Sequence, residues 1–140
     1  MIIAPSVLTA NLAALGSACD EAVNAGLDWL HLDVMDGNFV PNLTFGPPVI
    51  KQLRQHLGDG PVFDAHLMVE NAESMYQDYI DAGCNHLTVH VEACAHLHRS
   101  LQSIKAAGMK AGVALNPHTP VSDLSHTIAD IDLVCLMSVN

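Results

Sequence analysis

Apolar and polar side chains alternate in the segment Trp29-Leu30-His31-Leu32-Asp33-Val34-Met35-Asp36-Gly37. Such alternation, ended by a glycine, predicts a β-strand with one apolar face and one reactive face. The apolar face would carry Leu30, Leu32 and Val34. The reactive face would carry His31, Asp33 and Met35. The Cβ atoms of His31 and Asp33 would lie roughly 6–7 Å apart on one face, so that both side chains reach one metal ion or one substrate atom.

The rest of the chain repeats a pattern of strand and helix with short connections. The spacing of apolar residues predicts six strands, over residues 2–8, 29–36, 62–69, 86–92, 110–115 and 133–139. It predicts five helices between them, near residues 12–23, 47–57, 71–80, 97–104 and 119–128. An Ala-Gly pair follows three of these helices and precedes a strand each time, at Gly26, Gly83 and Gly108. Strict alternation of this kind predicts parallel strands joined by helical crossovers.

Two folds fit this alternation, a doubly wound open sheet and a TIM (β/α)8 barrel. Central strands of a doubly wound sheet are apolar on both faces, because helices cover both. Here the first four strands place polar residues on one face: Ser6, His31, Asp33, Asp64, His66, Thr88, His90 and Glu92. A dinucleotide-binding fold requires a glycine-rich loop after the first strand, and this sequence has none there. We therefore predict a TIM barrel of α/β class with its reactive groups turned inward.

Six strands and five helices are two repeats short of a complete barrel. We expect residues 1–140 to form a single domain, a truncated (β/α) barrel lacking the last two repeats. Either the sequence is part of a longer chain of about 200–250 residues, or it is a truncation whose sheet edges are covered by neighbours.

Composition excludes several classes of partner. The formal net charge is −10 with only five Lys and Arg, which argues against nucleic acid and against an anionic membrane surface. No apolar run reaches the length of about 20 residues that crosses a bilayer. The four cysteines show no Cys-x-x-Cys spacing, and nothing at the N-terminus resembles a secretion signal. These features predict a cytoplasmic protein with reduced thiols and a small-molecule substrate.

His31, Asp33 and His66 form the sharpest candidate site. Histidine and carboxylate groups at the ends of adjacent parallel strands suit a divalent ion such as zinc, iron, manganese or cobalt. The alternative is a set of inward polar residues that only hydrogen-bond to one another. His86, His90 and Glu92 are expected to support the site without binding the metal directly. Near the strand ends, three methionines are placed to exclude water or to fill the core: Met35, Met68 and Met137.

Several segments resemble the ribulose-phosphate 3-epimerase family of phosphate-binding (β/α)8 barrels. They are Ala4-Pro5-Ser6-Val7-Leu8, the run from His31 through Asp33-Val34-Met35-Asp36-Gly37 to Asn42, His66-Leu67-Met68-Val69, Ala114-Leu115-Asn116-Pro117 with Thr119-Pro120, and Met137-Ser138-Val139-Asn140. The family continues from the last of these into a Pro-Gly-Phe-Gly-Gly loop that this sequence lacks.

The resemblance implies an isomerase of the pentose phosphate pathway that interconverts D-ribulose 5-phosphate and D-xylulose 5-phosphate by inversion at C3. It implies that Asp33 is one acid/base, that His31, Asp33 and His66 bind the metal, and that Ser6 and His66 contact substrate. Met35, Met68 and Met137 would cap the intermediate. The second acid/base, an Asp of the seventh strand, and the phosphate loops would lie beyond Asn140, so the 140-residue chain alone is expected to be inactive or severely impaired.

Three possibilities stay open beside this one. An epimerase of another ketose phosphate, such as allulose 6-phosphate, would share the same metal-binding run. The chain would also suit a metal-binding or assembly module without catalysis. A homo-oligomer is compatible with the sequence as well.

Overall fold

Five parallel strands form one curled sheet, half of a barrel, in the computed structural model, which describes residues 1–139. The strands are β1 Trp29–Met35, β2 Val62–Met68, β3 His86–His90, β4 Lys110–Leu115 and β5 Leu133–Leu136. Each strand pairs with the next in chain order. A doubly wound sheet reverses its strand order at a switch point, and this sheet does not. The prediction of a (β/α) barrel is therefore confirmed.

Four α-helices cover the outer face of the sheet. They are α1 Leu15–Asn24, α2 Pro47–Leu57, α3 Tyr76–Asp81 and α4 Leu97–Ala106. The core lies between these helices and the outward side chains of the strands, as with Leu30, Leu32 and Phe63, which are fully buried. None of the described helices combines the length and the hydropathy needed to cross a membrane.

Three helices end in the same way, which sets where the next strand begins. Gly26, Gly83 and Gly108 have φ values of 89°, 87° and 88°, a left-handed conformation that favours glycine after a helix. A strand starts two or three residues later in each case. The repeated Ala-Gly pair in the sequence thus marks the helix ends correctly.

The predicted first strand over residues 2–8 is wrong. Ile2 and Ile3 are largely exposed, and the segment pairs with the sheet through one isolated parallel bridge, between Ser6 and His31. Pro5 has no N–H to give to a ladder, so it contributes only its carbonyl oxygen, which accepts from the backbone N of His31 at 2.9 Å. Ser6 then caps a short 3-10 turn, Val7–Thr9, with its side chain.

The predicted fifth helix is also wrong. Residues 119–128 contain two separate structures, a 3-10 turn at Val121–Leu124 and the start of another at Ile128–Asp130. Serine, aspartate, threonine and β-branched residues disfavour a helix interior, and only Leu124 is buried to compensate. The last predicted strand is shorter than expected and ends at Leu136. The described chain thus has five strands and four α-helices rather than six and five.

Candidate metal centre

The register of β1 against β2 brings four polar side chains together on the concave face. His31 lies opposite Asp64, and Asp33 lies opposite His66. Because side chains alternate along a strand, all four point to the same side of the sheet. A histidine on each strand therefore neighbours a carboxylate on its own strand and another across the pair.

Three ligand atoms meet at one point of this cluster. Nε2 of His31 lies 3.3 Å from Nδ1 of His66 and 3.2 Å from Oδ1 of Asp33. Nδ1 of His66 lies 3.0 Å from the same carboxylate oxygen. Ligands bound to one ion at about 2.0–2.1 Å lie about 2.9–3.4 Å from one another in octahedral or tetrahedral geometry. The three atoms thus have the mutual spacing of one face of a metal coordination shell.

The hydrogen bonding of His31 indicates that a cation fits here. Nδ1 of His31 lies 2.9 Å from Oδ2 of Asp64, which as an ionised carboxylate only accepts, so Nδ1 carries the hydrogen. In the neutral ring Nε2 then holds a lone pair, and this lone pair faces Oδ1 of Asp33. These two acceptors lie 3.2 Å apart, so a positive charge must lie between them: a proton on Nε2 in the metal-free protein, or a bound ion in its place. The donor set therefore fits a divalent ion of the kind that nitrogen and oxygen ligands prefer.

The pKa values of the cluster express the same demand for positive charge. Burial by itself lowers the pKa of His31, but its hydrogen bonds and proximity to Asp33 and Asp64 raise that pKa to about 10. Burial by itself raises the pKa of Asp33, but hydrogen bonds from His31 and Ser6 and the charge of His31 hold it well below its usual range. Burial by itself also raises the pKa of Asp64, but the hydrogen bond from His31 and the charge of that ring lower the pKa below its usual value. Both carboxylates are therefore ionised and able to hold a cation.

Two further residues orient this cluster. Ser6, brought alongside His31 by the bridge between them, donates its hydroxyl hydrogen to Oδ2 of Asp33. Asp64 is 2% exposed, and its second oxygen accepts from Oγ1 of Thr88 at 2.7 Å. Asp64 was expected on the inward face of its strand, without a role in the site. The two-residue spacing of Asp64 and His66 repeats that of His31 and Asp33, and this was the signal for it.

Behind His66 lies a second buried histidine. Nε2 of His90 lies 2.9 Å from Nε2 of His66, and both rings are 1% exposed. On its other side, Nδ1 of His90 lies 3.0 Å from Oε2 of Glu92. Burial lowers the pKa of His90 despite that carboxylate, so the ring is neutral. His90 and Glu92 thus lie where supporting residues were expected.

His86 does not join the cluster. It lies at the other end of β3, with its ring centroid 4.6 Å from that of Trp29. Its buried Nδ1 has no hydrogen-bond partner among residues 1–139. His86 lies opposite Asp64 in the β2–β3 pair, so its link to the cluster is the electrostatic interaction with that carboxylate, and a supporting role for His86 stays a prediction.

The three methionines fall into two positions. Met68 and Met137 line a pocket of about 230 Å³ beside His90, together with Phe39 and Asn116. Met35 lies opposite Met68 in the strand pair but does not line the pocket. Two of the three are therefore placed beside a cavity at the carboxyl end of the sheet, where barrel enzymes bind substrate.

The sequence also has known relatives. A model of the Ribulose-phosphate 3 epimerase family matches residues 2–140. The chain belongs to this family. Ribulose-phosphate 3-epimerases of Rhodobacter capsulatus and Bacillus subtilis are each 49% identical to it over 138 residues, which is 99% of this chain and 60% and 63% of theirs. Ribulose-5-phosphate-3-epimerase, chloroplastic, of Arabidopsis thaliana is 47% identical over 142 residues, which cover 100% of this chain and 50% of that protein. The chain thus spans about 60% of the length of the curated bacterial epimerases it matches.

Solved structures share the fold at much lower identity. KGPDC from Streptococcus mutans, in complex with D-R5P, superposes with a TM-score of 0.61 at 14% identity, over 97% of this chain and 61% of that one. Tryptophan synthase alpha chain from Legionella pneumophila gives a TM-score of 0.60 at 12% identity, over 96% of this chain and 60% of that one. At these identities the likeness concerns the barrel fold alone.

Proposed function

We propose that this member of the ribulose-phosphate 3-epimerase family carries the metal-binding half of an active site that interconverts D-ribulose 5-phosphate and D-xylulose 5-phosphate. The observation that carries the proposal is the convergence of His31 Nε2, Asp33 Oδ1 and His66 Nδ1 within 3.3 Å of one another. The near-complete match to epimerases that are 49% identical supports the same reaction.

The chemistry of a C3 epimerase suits these residues. The proton at C3 lies next to a ketone, so a carboxylate base removes it, and the oxygens of the resulting enediolate need positive charge beside them. Bound zinc, iron, manganese or cobalt would supply that charge. His31, Asp33 and His66 would hold the ion, and Asp33 would also accept the C3 proton. Ser6 orients the Asp33 carboxylate through its hydroxyl hydrogen.

The neighbouring residues suit substrate contact. Ser6 and His66 lie at the cluster itself, and Met68 and Met137 line the adjoining pocket. Met35 lies opposite Met68 in the strand pair, at the same end of the sheet. We assign these five residues to substrate binding. The small anionic substrate would have to enter against a net charge of −10, so the local positive charge at the metal centre is essential to hold it.

Inversion needs a second acid/base on the opposite face of the sugar. Among residues 1–139, the carboxylates of Asp64, Glu92 and Asp36 accept hydrogen bonds away from the three converging donor atoms. Only Asp33 has an oxygen among those three atoms. Asp33 is thus the one carboxylate assigned to proton transfer here. The described residues are expected to support exchange of the C3 proton more readily than complete epimerisation.

Hydrogen–deuterium exchange tests the proposal directly. The metal-loaded protein is incubated with D-ribulose 5-phosphate in D₂O, and deuterium at C3 is followed by NMR. Asp33→Asn should slow exchange by at least about 100-fold, because a general base contributes about 10²–10⁴-fold. Asp20→Asn is a matched control, since Asp20 also pairs with a histidine, His56 at 2.8 Å, but on the exposed surface.

The other outcomes separate the alternatives. Retained exchange in Asp33→Asn would show that Asp33 is not the base. Metal binding without any exchange in the wild-type protein would favour a metal-binding module. Faster exchange with allulose 6-phosphate than with ribulose 5-phosphate would favour an epimerase of a different ketose phosphate.

A further inference from the structure

A row of three side chains leads from the candidate metal centre to a loop on the protein surface. His66 contacts His90, and His90 contacts Glu92, through distances of 2.9 and 3.0 Å. The second oxygen of Glu92 accepts from the backbone N–H of Asn116 at 2.8 Å and from the hydroxyl of Thr119. The loop after β4 thus holds the far end of the row.

The hydrogens along this row are fixed by its last member. Both oxygens of an ionised Glu92 can only accept, so Nδ1 of His90 must carry the hydrogen between them. A neutral imidazole has a single N–H, which leaves a lone pair on Nε2 of His90. This lone pair accepts from Nε2–H of His66. The lone pair of His66 is then on Nδ1, the atom that faces His31 and Asp33.

We propose that His90 and Glu92 are positioning residues that fix His66 in the tautomer able to bind a metal ion, and thereby set the metal affinity of the site. The inference rests on the metal site proposed above. It extends that site through two residues that would not touch the metal. Donation from a metal-binding histidine to a second group both orients the ring and raises its basicity.

The surroundings of His66 and His90 keep water away from these two rings. His90 is 1% exposed, and the ring of Phe39, from the loop after β1, lies 4.6 Å from its own. The His66 and His90 rings are held nearly parallel, 22° apart. Water therefore has little access to either nitrogen, and the ring hydrogens follow from Glu92 rather than from solvent.

Replacing Glu92 by glutamine should reverse the direction of both hydrogen bonds in the row, the one between residue 92 and His90 and the one between His90 and His66. The glutamine oxygen is needed by two donors, Asn116 and Thr119, so the amide NH₂ turns towards His90. Nδ1 of His90 must then accept, and its hydrogen moves to Nε2. His90 in turn donates to His66, and the hydrogen of His66 moves to Nδ1, where it occupies the position of the metal.

Nitrogen NMR of the histidine rings in the metal-free protein tests this step without any metal. The wild-type protein should show His90 with its hydrogen on Nδ1, and Glu92→Gln should show it on Nε2. The same His90 tautomer in both proteins would overturn the proposal. Because no metal is present, this readout stands even if the wild-type protein binds none, an outcome that would overturn the proposed function instead.

Calorimetric titration with Zn²⁺ tests the consequence for affinity. Glu92→Gln and His90→Phe should each weaken binding by about 10–100-fold, the usual cost of losing a group behind a metal ligand. His90→Gln should stay close to wild type, since its amide oxygen accepts from His66. Glu73→Gln is the charge control, because Glu73 accepts from Ser100 at 2.6 Å and contacts no histidine.

The double variant separates a hydrogen-bonded row from simple loss of charge. In His90→Phe the row is already broken, so adding Glu92→Gln should weaken Zn²⁺ binding no further. Additive losses would mean that Glu92 acts only through its charge, and the proposal would fail. Thermal unfolding of each variant identifies any that does not fold; if His90→Phe is lost in this way, the tautomer of Glu92→Gln decides the question.

Discussion

At the scale of the single residue, a glycine keeps the cluster in place. Gly112 lies opposite Thr88 in the β3–β4 pair, and a Cβ added to it would lie 2.2 Å from Oγ1 and 3.1 Å from Cα of Thr88. The same hydroxyl donates to Asp64, which in turn orients His31. The absence of a side chain at residue 112 thus leaves room for the hydrogen bond that fixes a candidate metal ligand.

Gly112→Ala should therefore lower both stability and metal affinity. Overpacking of a buried site of this kind costs about 1–3 kcal/mol in the free energy of unfolding. Urea denaturation measures this loss, and titration with Zn²⁺ measures the second effect. Gly60→Ala is the control, since nothing lies within 4 Å of its added Cβ and its φ is not positive. Equal stability of the two variants would show that Thr88 moves aside freely.

At the scale of the secondary-structure element, one arginine joins the elements at the end of the sheet opposite the cluster. Arg54 of α2 donates to three carbonyl oxygens, those of Gly83 at 3.0 Å, Gly58 at 2.9 Å and Pro61 at 2.8 Å. It also donates to Asn85 at 2.8 Å, and its guanidinium group lies 3.6 Å from the centre of the Phe63 ring. The turn after α3 and the start of β2 are thereby held against α2.

Arg54→Lys should destabilise the protein almost as much as Arg54→Ala. A lysine ammonium cannot reproduce the planar fork of donors or its stacking on Phe63. Carbonyl oxygens left without a charged donor cost about 1.5–3 kcal/mol in total, measured by chemical denaturation. Zn²⁺ affinity should not change, because the contacts lie at the far end of the strands. Lys51→Ala on the same helix is the control, with an expected effect within about 0.5 kcal/mol.

At the scale of the whole molecule, metal binding and folding are linked. Three donors on two strands converge only in the folded chain, so a bound ion stabilises that state over the unfolded one. With free Zn²⁺ at 100 times its dissociation constant, the free energy of unfolding should rise by about 2.7 kcal/mol. Scanning calorimetry with and without a chelator measures the gain. Asp33→Asn should lose it and Asp20→Asn should keep it, whereas a melting temperature indifferent to metal would contradict the site.

The sequence predicted the fold and the cluster where local pattern and long-range packing agree. Alternation over β1 and β2 identified His31, Asp33 and His66, because side chains on a strand alternate whatever surrounds it. The strand predicted around Pro5 is absent because the segment has the apolar composition of a strand, but Pro5 has no N–H to donate to a neighbouring strand. The row through His90 and Glu92 was anticipated only as general support, since its hydrogen bonds depend on the register of β2, β3 and the loop after β4.

The in-register pairing of β1 with β2 has a consequence for how the protein is made. The three converging donors span only 35 residues of chain, from His31 to His66, and a single helix connects their strands. Such a short loop closes at small entropic cost. All three donors have been added to the chain once residue 66 is synthesised, before β3 and β4 are translated. Full affinity for the ion is expected only after His90 and Glu92 have followed, because these two residues fix the hydrogen of His66 on Nε2.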